Sequence, residues 1–393
     1  MVKGILACAF GLLTGCHLAP PPPGSIPTGP SPSPGFEWKL PAGFPRPAVP
    51  PDNPMTAAKV SLGRFLFYDR KLSGNGTYSC ATCHRQELAF TDGRAQSIGS
   101  TGEIHPRGAM SLANAAYNIT LTWSDPALIR LEDQVEIPLF HREPVEMGMS
   151  GRVDTLLDRL KSDRRYRRWF AAAFPGQSDP IRLGNLYRAI ASFERILISG
   201  GSPYDRLVYG GEMEALADSA RNGMGLFFSN RLRCSRCHGG ITFSGPTAFA
   251  GNRPPRQAFH NTGLYNLGPR GNYPEDDQGL YRFTGRQGDM GRFRAPTLRN
   301  IGLTSPYMHD GSIATLEEVI DHYSAGGRTI PTGRYAGDGR ASPNKSELVS
   351  GFYISRQEKA DLVAFLKSLT DTGFISEERF SDPFETPVPS VPP

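Results

Sequence analysis

Apolar side chains recur three and four positions apart along several stretches of the chain, and this spacing is typical of helices with one buried face. Four predicted helices cover residues 56–68, 152–174, 181–199 and 215–228. A further helix is predicted to begin after Thr315, because Thr315 and Glu318 have the spacing of a capping box. One face of that helix would carry Leu316, Val319, Ile320 and Tyr323. The pattern predicts a mainly α-helical protein.

Glycine and proline divide this helical pattern into segments. Residues 239–300 are rich in Gly, Pro, Asn and Arg, and loops of this length usually wrap a site or a cofactor. The run Gly200-Gly201-Ser202-Pro203 interrupts the chain and marks a predicted domain boundary. The predicted segments after the leader are a Pro-rich linker, an N-terminal domain, a C-terminal domain and a tail, covering 17–36, 37–200, 201–386 and 387–393.

Residues 1–16 have the pattern of a bacterial export signal. Lys3 supplies the positive charge, and the apolar run 5–13 is too short to span a membrane. Leu13-Thr14-Gly15-Cys16 resembles a lipobox, which predicts cleavage before Cys16 and a lipid anchor on that residue. Plain cleavage nearby is the alternative. Both predict a mature protein in the periplasm or outer cell envelope, and no later segment is predicted to span a membrane.

The length and charge of the chain exclude few classes of protein. The chain has 393 residues, enough for two domains of ordinary size. Its formal net charge is +5, and no block of one sign is present. The charges therefore predict a solvated surface and give no reason to expect nucleic-acid binding.

Two five-residue motifs stand out: Cys80-Ala81-Thr82-Cys83-His84 and Cys234-Ser235-Arg236-Cys237-His238. Each has the C-x-x-C-H spacing of covalent haem attachment, in which two thiols bond to the porphyrin and the His ligates the iron. A redox thiol pair would need no His, and a zinc site would need the two distant motifs to come together. The motifs predict two covalently bound haem c groups, one per domain, with His84 and His238 as proximal ligands.

Further short motifs follow at fixed places along the chain. They include Phe90-Thr91-Asp92-Gly93, Leu112-Ala113-Asn114-Ala115, Leu131-Glu132-Asp133-Gln134, Pro144-Val145-Glu146-Met147, Pro296–Ile301 and Pro306–Gly311. Together with the haem motifs, they resemble the bacterial di-haem cytochrome c peroxidase and MauG superfamily over most of the mature chain. The resemblance implies two cytochrome c-like haem domains with long wrapping loops. Residues 52–56 and 100–103 are most similar to the MbnH-type di-haem enzymes.

In that superfamily the first haem is the one that reacts with hydrogen peroxide. The resemblance implies that its surroundings include Trp123, Gln134, Pro138 and Glu146. A carboxylate such as Glu146 can take a proton from one peroxide oxygen and return it to the other, and Gln134 can orient the peroxide by hydrogen bonding. Trp123 is expected between the haems as an electron-transfer station, with core packing as the alternative.

At the second haem, the resemblance implies Tyr323 as the other axial ligand, where ordinary peroxidases of this type carry Met. Phenolate favours higher oxidation states of iron, whereas a thioether favours the ferrous state. MauG has Tyr at this position too. The alternatives are that Tyr323 packs within its helix face and that His322 or Met308 ligates the iron.

Other positions depart from the family pattern. Ser100 stands where many members carry a His that blocks the first haem until reduction, and His105 is out of register. The first haem is therefore expected to be open at rest. Leu232 stands where MauG has a surface Trp through which electrons pass, so the electron route must differ.

The resemblance also implies a calcium ion between the haems, bound by an Asn and by backbone carbonyls of a Thr-x-Pro motif. Thr304 and Pro306 are present, but the Asn position is Gly108. His309 and Arg294 are expected to organise haem propionates and loops rather than to do chemistry.

The resemblance therefore implies a peroxide-dependent oxidase of the MauG/MbnH type. Hydrogen peroxide would generate a high-valent di-haem state that oxidises an aromatic residue, expected to be Trp, in a secreted or periplasmic partner protein. One alternative is a di-haem cytochrome c peroxidase that reduces hydrogen peroxide with electrons from a small cytochrome. The second alternative is a non-catalytic electron-transfer cytochrome or haem sensor, which the pairing of Gln134 with Glu146 disfavours.

Overall fold

A computed structural model describes residues 36–385 of the protein. The predicted export signal with Cys16, almost all of the predicted linker, and the predicted tail lie outside the described residues. The α-helices are α1 (Ala57–Tyr68), α2 (Cys80–Cys83), α3 (Leu131–Gln134), α4 (Glu136–Phe140), α5 (Val153–Ser162), α6 (Arg164–Ala173), α7 (Leu183–Glu194), α8 (Pro203–Val208), α9 (Asp218–Phe227), α10 (Tyr281–Thr284), α11 (Leu316–Ala325), α12 (Arg356–Lys367) and α13 (Thr372–Ser376).

Strands are short and lie within the loops of the second half. Strand β1 (Phe259–His260) pairs antiparallel with β2 (Phe293–Arg294), and β3 (Thr329–Ile330) pairs antiparallel with β4 (Gly337–Asp338). The mainly helical fold class is thus confirmed, and residues 239–300 are mostly loop as predicted. No helix within residues 36–385 is long and apolar enough to cross a membrane.

The sequence pattern predicts one helix over 152–174, and this prediction is wrong. The structure has two helices there, α5 and α6, separated at Asp163. The Asp163 side chain accepts a hydrogen bond from the backbone N–H of Arg165 at 2.9 Å and so caps α6. A capping Asp favours a helix start over helix continuation, and the apolar spacing alone does not reveal this.

Two helix pairs form the centres of two hydrophobic cores. Helix α1 packs against α7, and a Cβ at Gly63 would lie 1.9 Å from the backbone oxygen of Ala189. Helix α9 packs against α12, and a Cβ at Gly223 would lie 1.9 Å from the backbone oxygen of Asp361. Glycine therefore permits both close helix crossings.

The predicted boundary near residue 200 coincides with a break in the helical structure. Ser202 caps α8, and Pro203 occupies its first turn. Asp371 crosses from the end of the chain to this break and accepts hydrogen bonds from the backbone N–H groups of Gly200 and Gly201, at 2.9 and 2.8 Å. The division into two domains at this point stays a prediction.

Candidate haem sites

The first haem motif forms the short helix α2. Ser79 and Thr82 form a capping box at its start, and the helix ends at His84. The Nδ1 atom of His84 lies 2.8 Å from the carbonyl oxygen of Phe90. A proton on Nδ1 donated to this carbonyl leaves Nε2 free as an iron ligand.

The second motif is built in the same way. Cys234–Arg236 forms a 3-10 turn. The Nδ1 atom of His238 lies 3.1 Å from the carbonyl oxygen of Phe243 and 3.2 Å from that of Pro296. Phe90 and Phe243 both have left-handed backbone conformations, with φ of 61° and 53°. This backbone region is uncommon for large aromatic residues, and here it belongs to the residue whose carbonyl faces the proximal His.

An open cavity lies at the second motif, with about 1450 Å³ of space including the part open to solvent. Its lining is largely apolar and includes Cys234, Cys237 and His238. The helix face predicted for α11 also lines it, through Leu316, Val319, Ile320 and Tyr323. An apolar cavity that holds both thiols and the predicted proximal ligand fits a covalently attached haem.

The three candidates for the second axial ligand differ in their surroundings. Tyr323 and Met308 both line the cavity. The Nε2 atom of His322 instead lies 3.0 Å from the carbonyl oxygen of Thr262. The phenol oxygen of Tyr323 makes no hydrogen bond to another described residue, and burial raises the pKa of Tyr323. These contacts leave Tyr323 and Met308 as candidates and disfavour His322.

Polar groups at the cavity also fit an anionic porphyrin. Arg294 is buried and lines the cavity, and within residues 36–385 it has no carboxylate partner. Burial lowers the pKa of Arg294 to about 10. The indole Nε1 of Trp123 is also buried with no hydrogen-bond partner among protein atoms. A buried cation without an anion is unfavourable, and a haem propionate would satisfy it.

A second open cavity adjoins the first, with about 710 Å³ of space including the part open to solvent. Trp123, Arg294 and His309 line both. The second cavity also brings together the predicted calcium positions Gly108, Thr304 and Pro306. Among the described residues, no group of three or more His, Cys, Asp or Glu side chains is arranged to hold a metal ion.

His309 is buried against an aromatic ring and a carboxylate. Its ring stacks on Phe293 with centroids 3.6 Å apart, and its Nε2 lies 2.8 Å from the carboxylate of Asp277. Arg107 forms an ion pair with the same carboxylate at 2.5 Å. The ring of His309 also lies 6.4 Å from that of Trp123. His309 therefore lies between Trp123 and the ion pair of the buried Asp277 with Arg107, a residue from the first half of the chain.

On the side of the first haem, the backbone around Glu146 is fixed by hydrogen bonds. The N–H of Ser100 donates to the carbonyl of Glu146 at 2.7 Å, and the N–H of Met147 donates to the carbonyl of Pro138 at 2.9 Å. Pro138 and Glu146 are thereby brought together. Burial raises the pKa of Glu146 to about 7. His105 is held nearby through Nε2, 3.3 Å from the carbonyl oxygen of Val145.

Gln134 is the last residue of α3, and only Val135 separates α3 from α4, which carries Pro138. The side chain of Gln134 makes no hydrogen bond to another described residue. The chain therefore places Gln134, Pro138 and Glu146 on consecutive, mutually bonded segments. Their individual roles stay predictions.

Sequence reasoning did not single out Glu194, a buried carboxyl group at the end of α7. Only 5% of its surface is exposed, and its Oε2 has no hydrogen-bond partner among protein atoms. Next to it, Arg195 forms a buried ion pair with Glu132 at 2.9 Å. A Glu-Arg pair inside an otherwise apolar helix pattern is the signal that could have revealed this cluster.

The chain resembles several characterised proteins. A family model for di-haem cytochrome c peroxidases matches residues 57–213. Cytochrome-c peroxidase IdrP1 of Pseudomonas sp. (strain SCT) is 36% identical over 338 residues, covering 82% of this chain and 83% of the relative. Methylamine utilization protein MauG of Methylorubrum extorquens is 34% identical over 335 residues, covering 84% and 83%. The crystal structure of a MauG-like protein associated with microbial copper homeostasis is 51% identical, with a TM-score of 0.87, covering 89% of this chain and all of that one.

Two haem-attachment motifs, each with a His whose Nδ1 faces a backbone carbonyl, define a c-type cytochrome with two haem sites. The sequence identities reported above define a narrower class of protein, because they extend over most of the chain. The chain belongs to the di-haem cytochrome c peroxidase family, which includes MauG. It is a peroxidase-type oxidoreductase, and the family implies two haem c groups and hydrogen peroxide as substrate. The predicted family, fold class and enzyme class are confirmed.

Proposed function

We propose that this enzyme uses hydrogen peroxide to oxidise an aromatic side chain, expected to be Trp, in a partner protein. The observation that carries the proposal is Tyr323, which lines the same cavity as His238 and has a phenol oxygen free of hydrogen bonds to described residues. A phenolate ligand would favour high oxidation states of iron. The 51% identity to the MauG-like protein supports the same choice.

The two haems would supply the redox chemistry, which is reaction with peroxide at one iron and storage of two oxidising equivalents. In this proposal Glu146 accepts a proton from the near oxygen of bound peroxide and returns it to the far oxygen. A pKa of about 7 supports this, because both protonation states of Glu146 are then populated near neutrality. Gln134, whose amide has no partner among described residues, would hold the peroxide by a hydrogen bond.

Trp123 would link the two sites electronically. Its support is that Trp123 lines both adjoining cavities and lies against His309. Electrons could then pass through Trp123 from the second haem cavity towards the adjoining cavity. The partner protein would give up its electrons at the surface, so its aromatic side chain need not reach an iron.

We further propose that the first haem is open in the resting enzyme. Ser100 occupies the position where a blocking His is expected. Its backbone N–H donates a hydrogen bond to the carbonyl oxygen of Glu146. His105 has its Nε2 near the carbonyl oxygen of Val145. With neither residue on the iron, peroxide would react without prior reduction.

The test is a titration of the diferric protein with one equivalent of hydrogen peroxide, followed by optical and EPR spectroscopy. We expect one high-spin haem at rest and simultaneous loss of both ferric EPR signals, without added reductant. A protein that is wholly low-spin at rest, or that reacts only after one-electron reduction, would contradict the proposal.

A second candidate function is peroxide reduction with electrons from a small cytochrome. The specific observation in its favour is Met308, which lines the cavity together with Tyr323 and is the ligand type of ordinary peroxidases. This function predicts that reduced cytochrome c supports steady turnover and that no partner side chain is modified.

Two accessory properties belong to the same proposal. We propose a calcium ion in the cavity of Gly108, Thr304 and Pro306, bound through backbone oxygens. Removal of calcium with a chelator, followed by metal analysis and EPR, tests this. We also propose that the protein is exported to the periplasm or outer envelope and is anchored there through Cys16, which mass spectrometry of the mature N-terminus would test.

A further inference from the structure

Glu194 interacts electrostatically with the first haem motif and with a buried ion pair. Its carboxyl group influences the Cys80 thiol, whose pKa is raised by burial and then by Glu194. On its other side it is influenced by Arg195 and by Glu132. The carboxyl group is therefore within electrostatic reach of both the haem attachment point and the pair, although it forms no hydrogen bond to any described residue.

Glu132 connects this buried group to an opening in the surface. Its Oε1 accepts hydrogen bonds from Asn53 at 2.7 Å and from Arg195 at 2.9 Å. Its Oε2 has no partner among protein atoms. Glu132 and Arg195 both line an open cavity with about 720 Å³ of empty space, whose rim includes the exposed residue Ile129. The lining is mainly apolar but includes the charged residues Arg130, Glu132 and Arg195, and water that enters beside them would hydrogen-bond to the free carboxylate oxygen.

Peroxide reduction consumes protons as well as electrons. The balanced change is H2O2 + 2 e⁻ + 2 H⁺ → 2 H2O, in which the O–O bond breaks and the electrons come from a protein or small-molecule donor. Glu146 moves a proton between the two peroxide oxygens and adds none. A buried site that completes this change therefore needs a separate proton supply.

We propose that Glu194 is a proton-relay residue, which receives protons through water in the cavity beside Glu132 and passes them to the first haem site. This proposal rests on the peroxidase activity of the family and on the reduction of hydrogen peroxide to water. It does not depend on the identity of the electron donor. The two unpartnered carboxyl oxygens, one on α3 and one on α7, are the geometric basis of the route.

The charges around Glu194 suit a proton donor. Burial raises its pKa to about 8; Arg195 acts in the opposite direction and Glu132 adds to the increase. Burial also acts to raise the pKa of Glu132, but Arg195 and Asn53 outweigh it, so the net pKa of Glu132 is lowered. Helix α1 contributes Lys59, whose pKa is lowered chiefly by burial while Glu132 acts to raise it. At neutral pH Glu194 is thus protonated, within electrostatic reach of an ionised Glu132.

The test compares Glu194→Gln with Glu136→Gln, a matched change at an exposed residue of α4. In the holoprotein, infrared difference spectra should contain a C=O band of a protonated carboxyl group that weakens as the pH rises through about 8. This band should be absent in Glu194→Gln and present in Glu136→Gln. The same band in both variants would overturn the proposal.

The second measurement is the turnover rate. Hydrogen peroxide is the substrate, and ascorbate with a redox mediator is the electron donor. We expect Glu194→Gln to slow turnover roughly tenfold, less than the ~10²-fold or more typical of a group that exchanges protons with the substrate itself. The solvent isotope effect should increase, the initial reaction with peroxide should be unchanged, and Glu194→Asp should restore part of the rate. An unchanged rate and pH profile would overturn the proposal, whereas a slower initial reaction would instead place Glu194 in the role assigned to Glu146.

If Glu194→Gln fails to load haem, the route can be blocked at its other end. Ala116 lines the cavity beside Glu132. Ala116→Leu should displace water there and slow turnover in the same way, without altering any ionisable group. Normal turnover in Ala116→Leu, with haem content intact, would contradict a supply through this cavity.

Discussion

The two halves of the protein hold their haem motifs in the same way but surround them differently. In each half a glycine on one helix contacts the backbone of a second helix, at Gly63 in α1 and at Gly223 in α9. In each half a buried Phe in a left-handed conformation directs its carbonyl to the proximal His. The shared part is therefore the attachment of haem.

The difference lies in the groups that surround each haem on its other sides. Near the first motif are two carboxyl groups with raised pKa values, Glu146 and Glu194. Around the second motif is a largely apolar cavity with Tyr323, Met308 and the buried cation Arg294. Protonatable groups suit reaction with peroxide, and an apolar cavity suits a haem that only exchanges electrons. Similar attachment of haem can thus serve two proposed roles when these surroundings differ.

The largest expected effect tests whether Glu146, near the first haem motif, takes part in the reaction with peroxide. Glu146→Gln should slow the reaction of the diferric protein with hydrogen peroxide by ~10²- to 10⁴-fold, because the amide cannot accept a proton. Tyr323→Phe, at the other haem, should leave this first step unchanged. Stopped-flow spectroscopy of both variants measures the contrast. Equal rates for Glu146→Gln and the wild type would remove Glu146 from the mechanism.

A smaller effect tests the close helix packing that the two halves share. Gly63→Ala and Gly223→Ala should each lower the free energy of unfolding by about 1–3 kcal/mol, because the new methyl group meets backbone 1.9 Å away. Chemical unfolding of the holoprotein measures this.

Matched controls lie on the same helix pairs. A Cβ at Gly184 of α7 or at Gly225 of α9 would meet no atom within 4 Å. Gly184→Ala and Gly225→Ala should therefore be neutral or stabilise the protein by up to about 1 kcal/mol, since Ala has the higher helix propensity. If only one of the two crossings proves sensitive, the halves do not share the same packing.

The smallest effect is the pH dependence of the peroxide reaction. Glu146 can act as a base only when ionised, and its pKa is raised to about 7. The rate should therefore rise with pH, level off above about pH 7, and fall about tenfold for each pH unit below it. Rates measured across this range should lose the inflection in Glu146→Gln. An inflection that persists in this variant belongs to another group.

Local sequence predicted the parts of the fold whose causes are local. The capping box of Thr315 and Glu318 forms as predicted, and the face of α11 that lines the haem cavity was expected from the spacing of its apolar residues. The break at Asp163 was missed because a capping side chain competes with an apolar pattern that continues across it. Helix α12 was not predicted, although it forms half of the second helix pair.

The sequence by itself determined the two haem attachments, because C-x-x-C-H is a covalent requirement met within five residues. Only the tertiary structure showed that Tyr323 lines the haem cavity whereas the imidazole of its neighbour His322 faces a carbonyl of Thr262, far away in the chain. Only the tertiary structure also revealed that Glu194 is buried without a partner and that Arg294 lacks a carboxylate within residues 36–385. Burial and partners depend on contacts between distant segments, and periodicity and motifs do not record those contacts.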